Sequence, residues 1–246
     1  MSVYFWFLFF ASLAPPGDKD LGVEPPTADF LASKVAERFQ NSAEWRFTVD
    51  VIEVDAEGKA TTTMRAKVED DRATASHHLT LYEPGGGLLY ELLVCLRADG
   101  PAAIFEFNHR PDKECSYEVS ARDYDYDSGN WDIHCGPDDY NLCHVGYFLR
   151  SALVGKGPFP TNLVSRLRKG EVLGLSDVDG KRCWAVATTL DNGVAERVYI
   201  DSDEFVVRRL DRVIPGKEGI DRRLYYDDKH MAGFAEGALS AHRCGA

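Results

Sequence analysis

Several groups of residues in this chain have types and spacings that invite chemistry. His77 and His78 are adjacent. Imidazole pairs hold metals, but neighbours on a strand point to opposite faces, so adjacency alone cannot bring both to one ion. His134-Cys135 and Cys143-His144 form a mirrored HC-x7-CH cluster whose imidazoles and thiols could suit zinc. The spacing matches no common zinc pattern. In an exported chain a disulfide between Cys135 and Cys143 is the preferred reading. Cys143-His144 is not a haem-attachment site, because Tyr140 stands where a first Cys is needed. Asp123, Asp125, Asp127, Asp132, Asp138 and Asp139 offer hard oxygen ligands of the kind calcium takes. The run DYDYDSGNWD lacks the closing Glu of a calcium loop and reads as a solvated acidic segment. Gly85-Gly86-Gly87 lacks the Lys and helix of a phosphate loop and reads as a hairpin connection. No Ser occupies a nucleophile elbow. These residues predict no catalytic set, no metal site and no cofactor.

Composition narrows the partners. The 246 residues carry a formal net charge of -12, with 44% hydrophobic and 11% aromatic content. The chain is globular in composition, and its acidity argues against nucleic-acid binding, which needs clustered Lys and Arg. It also argues against electrostatic docking on anionic lipid. Arg166, Arg168 and Lys169 gather locally and read as a solvated helix end.

The front segment bears on compartment. Residues 1–14, MSVYFWFLFFASLA, are almost wholly apolar. A run of this length is short of the roughly 20 residues that span a bilayer. It suits the apolar core of a secretory signal, with Ser12-Leu13-Ala14 as small residues before a cut. An uncleaved anchor is the alternative. Either way the expectation is an exported protein of the periplasm or cell envelope. Six cysteines then permit disulfides. Cys95 and Cys183 lie in apolar strand patterns, where a buried free thiol and a bridge are both open.

The elements that must position any site follow from periodicity. Residues 15–26 read as a flexible leader. A helix follows Thr27, with Phe30, Leu31, Val35 and Phe39 on one stripe. The period then changes to two: Trp45, Phe47, Val49 and Val51 alternate with polar neighbours. Strands are predicted over 45–54, 61–68, 73–82, 88–96 and 103–107, with Asp70-Asp71 as a turn. Residues 112–139 read as a polar, Asp/Tyr-rich insertion. Apolar stripes predict helices over 140–153 and 161–168. Strands resume over 172–178, 182–190, 194–200, 205–213 and 222–226, and residues 229–246 read as a loose tail. The simplest arrangement is α+β: a strongly curved antiparallel sheet, an incomplete barrel, with helices covering its concave face. One domain over 27–228 accounts for it.

The stretch GLSDVDGKRCWAVATTLDNGVAERVYIDSDEFVVRRLDRV resembles the outer-membrane lipoprotein-sorting (periplasmic lipoprotein carrier) superfamily. The matching features are Asp179-Gly180-Lys181 between strands, Cys183-Trp184 in the second strand, and Val198-Tyr199-Ile200-Asp201 before a strand with Arg208-Arg209. The likeness extends loosely over residues 27–228. It implies a half-barrel that binds lipid-linked or other apolar groups without catalysis. The Asp/Tyr-rich insertion with Cys115, Cys135 and Cys143 departs from that pattern. On this reading Phe47, Val49, Phe105, Phe107 and Trp184 are the expected cavity wall. The expected partner is an apolar or lipid-linked ligand. The alternative is a cell-envelope sensor or protein-interaction domain with a closed cavity and an envelope protein partner.

Overall fold

The computed structural model describes residues 24–40, 44–71, 76–95, 102–108, 115–121, 163–189, 193–214 and 216–227. The predicted signal segment, most of the leader, the 140–153 helix, the HC-x7-CH cluster and the tail lie outside these residues.

Helix α1 spans Ala28–Gln40. The Thr27 hydroxyl accepts a hydrogen bond from the Phe30 amide at 3.1 Å, an N-cap that satisfies one of the helix's orphan donors. Leu31, Ala32 and Val35 form its fully buried stripe. Six strands follow: β1 (Glu44–Val54), β2 (Ala60–Asp71), β3 (Ser76–Tyr82), β4 (Leu88–Cys95), β5 (Ala102–Asn108) and β6 (Cys115–Ala121). A short helix α2 (Leu163–Arg168) precedes β7 (Glu171–Val178), β8 (Lys181–Thr189), β9 (Ala195–Asp201), β10 (Val207–Val213) and β11 (Ile220–Asp227).

All eleven strands form one sheet in the order β6-β5-β4-β3-β2-β1-β11-β10-β9-β8-β7. Two meanders, β1–β6 and β7–β11, are joined where β1 pairs with β11 from Phe47↔Asp227 to Val54↔Ile220. Every pairing is antiparallel, and the two ends of the order are not paired with each other, so the sheet is an incomplete barrel. Turn chemistry fixes register locally. Asp179 and Gly180 both have positive φ, 51° and 78°, the requirement of the two-residue turn that matches strand twist.

The helices cover one face of β8–β10. Leu31, Ala32 and Val35 of α1 and Leu163, Val164 and Leu167 of α2 pack on Val186, Val198, Ile200, Val207 and Leu210. A second cluster on the same face is built from strand residues alone: Val49, Val51, Met64, Ala66, Val68, Leu79, Leu81 and Leu92. Tyr225 borders both clusters. This shared surface is called the inner face below. Among the described residues, no helix is long and apolar enough to cross a membrane.

Three sequence expectations need correction. Strand β6 falls inside the segment read as a polar insertion; Cys115, Tyr117, Val119 and Ala121 alternate with polar residues, and the acidic residues that follow obscured that period. Asp70-Asp71 is not a turn, because β2 stays paired with β1 as far as Glu44↔Asp71. Phe205 does not begin a strand: its φ of 56° places it in the turn before β10. In that turn Asp201 accepts hydrogen bonds from the Asp203 and Glu204 amides, both at 3.0 Å.

Candidate functional site

Along each strand the inner-face residues alternate with outer ones, so the cross-strand register sorts the inner face into rows. One row is apolar and runs Phe47, Val68, Leu79, Leu92. Beside it, Tyr225, Val49, Ala66, Leu81 and Tyr90 form another. The third row reads Val186, Val198, Leu210, Arg223, Val51, Met64. It holds one charged residue. The fourth is polar throughout: Thr188, Glu196, Arg212, Asp221, Glu53.

The buried end of that polar row is joined by hydrogen bonds that converge on Glu196. Glu196, only 1% exposed, accepts from Arg212 Nε at 3.0 Å, from Thr188 Oγ1 at 3.0 Å, and from Arg166 Nε and Nη2 at 3.1 and 3.4 Å. Arg166 descends from α2, so a helix is tied to the sheet by a buried ion pair. The row ends at the solvent rim, where Glu53 meets Lys217 at 2.7 Å and both are about half exposed. Arg223 is buried and pairs with Asp221 through both guanidinium Nη atoms, Nη2 at 2.9 Å. Its Nε has no hydrogen-bond acceptor among the described residues. Burial raises the Tyr225 phenol well above its ordinary range, opposed by Arg212 and Arg223 and reinforced by Glu196 and Asp221. The polar row and the aromatic row therefore feel one another.

Of the five residues expected to line a cavity, Phe47, Val49 and Trp184 lie on the inner face. Phe47 packs against Tyr225 with ring centroids 6.1 Å apart. Phe105 is in register with Leu93 and Phe107 with Glu91, positions that alternate with Leu92 along β4. The backbone thus places them off the rows of Phe47 and Val49. The solvated-helix-end reading holds for Arg168 and Lys169, which are exposed, and fails for Arg166. Arg166 is 4% exposed because it follows Leu163 by three positions and so shares the buried face of α2.

Sequence reasoning also passed over Glu196, Arg212, Asp221 and Arg223. A signal was present: in AERVYID, Glu196 keeps the same phase as Val198 and Ile200, so a carboxylate occupies a core position.

The outer face holds a different cluster. His78 lies 3.5 Å from Glu69 and 3.6 Å from Glu91, while His77 is in register with Asp70. Hydrogen bonding from His78, opposed by burial and helped by Lys67, lowers the Glu69 carboxyl to about 2. Among the described residues no group of three His, Cys, Asp or Glu converges to hold a metal. Cys183 is a buried free thiol, pushed up to about 12 by burial and then by Asp201.

No protein-family model and no curated protein matches the sequence. Solved structures do match in shape. LprF from Mycobacterium bovis is 10% identical, over 83% of this chain and 93% of that one, with a TM-score of 0.41. The Pseudomonas aeruginosa MucA/MucB complex is 12% identical over 80% of this chain and 55% of the matched one, with a TM-score of 0.39. A LolA superfamily protein from Nitrosomonas europaea is 11% identical over 82% and 93%, with a TM-score of 0.30. At such identities and scores none of them says what this chain binds. The chain is loosely similar in shape to a set of proteins that includes a member of the superfamily its sequence resembles.

Proposed function

We propose that this is an exported, non-enzymatic binding protein that holds an apolar or lipid-linked group against the inner face of its sheet. The observation that carries the reading is the continuous apolar inner face of β1–β4, where buried Val49, Ala66, Val68, Leu79 and Leu81 are bordered by the partly buried Phe47, Tyr90 and Tyr225. Trp184 extends the wall onto β8. Apolar burial of this kind is worth roughly 25 cal/mol per Å² to an entering chain. The reading predicts that full-length protein exported by a bacterial host retains a lipid, seen as an adduct by native mass spectrometry and released by organic solvent. It also predicts saturable binding of the neutral dye N-phenyl-1-naphthylamine by the solvent-stripped protein. No adduct and no dye binding would defeat it.

A second reading has its own support. On β8–β10 the inner face is sealed by α1 and α2, with Leu31, Val35, Leu167, Val186, Val198 and Ile200 fully buried. A domain sealed throughout would act through its surface, as an envelope sensor or protein-interaction module. The half-exposed Phe30, edge-on to Phe205 at 6.0 Å, would belong to that surface. Under this reading the dye does not bind.

A further inference from the structure

Resting on the binding reading above, we infer that the ligand is an amphiphile with an anionic headgroup, and that Arg223 is the residue that receives it. The inner face is itself amphiphilic. Its first two rows are apolar or aromatic, its fourth is polar and charged, and Arg223 stands in the row between them, flanked by Leu210 and Val51. An acyl chain entering over the partly buried Phe47, Tyr90 and Tyr225 brings its headgroup to that boundary. The fourth row runs from buried Thr188 to exposed Glu53, so a polar group can reach the boundary from the rim without crossing the apolar rows.

Arg223 is suited to the role. It is 3% exposed, and one edge of its guanidinium is committed to Asp221 while Nε has no acceptor among the described residues. A buried donor without a partner is costly to leave so, and a carboxylate or phosphate oxygen satisfies it with a charge-assisted bond. Arginine forks match both anions, so the carboxylate of a fatty acid and the phosphate of a phospholipid are the same chemistry at this position.

The test uses solvent-stripped, full-length protein and competition against N-phenyl-1-naphthylamine. The competitors are hexadecanoate, hexadecyl phosphate and hexadecan-1-ol, each below its aggregation threshold. Hexadecanoate or hexadecyl phosphate is expected to bind at least tenfold tighter than the alcohol, and the tighter of the two identifies the headgroup class. In the paired variant Arg223→Gln/Asp221→Asn, which removes both charges together, the anion preference is expected to vanish while dye and alcohol binding persist. Equal affinity for anions and alcohol in the unaltered protein overturns the headgroup assignment and leaves the apolar site standing. A preference that survives in the variant overturns the role of Arg223. Failure of the dye itself to bind overturns the binding reading, and this inference with it.

Discussion

Replacing Glu196 by Gln separates charge from packing at the buried end of the polar row. The two side chains are nearly equal in volume, so a cavity argument predicts a change within about 0.5 kcal/mol. The electrostatic argument predicts much more. Glu196 is 1% exposed and accepts hydrogen bonds from two guanidiniums and a hydroxyl. Neutralising it takes the carboxylate from Arg166 and Arg212 and turns amide hydrogens toward cationic donors. Removing one partner of a buried ion pair costs about 3–5 kcal/mol. Domains are stable by about 5–15 kcal/mol, so this is a large fraction of the total. Arg166→Met is the control: Glu196 keeps Arg212 and Thr188, and the expected loss is about 1–3 kcal/mol. The assay is urea unfolding followed by far-UV circular dichroism. With a slope of about 2–3 kcal/mol per M, Glu196→Gln should lower the midpoint by roughly 1–2 M. A loss under about 1 kcal/mol, or a loss smaller than that of Arg166→Met, would refute the reasoning.

Three further outcomes are expected. Native Cys183 should resist iodoacetamide at pH 8 and react only once the chain is unfolded, because a thiol with a pKa of about 12 is ionised to only ~1 part in 10,000 there; fast alkylation of Cys183 in native protein, mapped by peptide mass, would contradict its burial. Glu69 has its folded pKa lowered from 4.5 to about 2, so its stabilisation is present above the unfolded value and lost as pH falls from about 5 toward 2; Glu69→Gln should be less stable at pH 7 and show a shallower loss over that window in acid titration. Gly219 has a φ of 90°, and a Cβ there would meet the Val54 carbonyl oxygen at 2.1 Å, so Gly219→Ala should cost more than about 3 kcal/mol or abolish soluble folded protein, where a thermal midpoint within a few degrees of the parent would count against it.

The sheet was largely legible in the sequence, and the polar half of its inner face was not. Alternation in Phe47-Thr48-Val49-Asp50-Val51 marks a half-buried strand wherever it occurs, because burial on one face imposes a period of two. Asp179-Gly180 announces its own hairpin by the backbone conformation it tolerates. Arg166 behaves otherwise. Alone it is a basic residue near a helix end, and its burial follows from Glu196, thirty positions later, and Arg212 beyond it. Such a partnership is set by strand order, which local patterns do not encode. Arg223 is similar: only the pairing of β11 with β1 and β10 reveals that it interrupts an apolar row. The fold-level resemblance stated the right kind of sheet, while the residues that distinguish this inner face carry no motif.

The seam between β1 and β11 gives the molecule a distinctive order of assembly. Each meander is made of neighbours in sequence and can zip locally, but the join between them brings residues 47–54 against 220–227. That pairing closes the longest loop in the sheet, and closure entropy makes it the slow, late event. Until β11 has left the ribosome, β1 and β10 each lack the neighbour they pair with there, and the row containing Arg223 does not exist. The row that links the apolar and polar parts of the inner face is therefore complete only once both meanders have met.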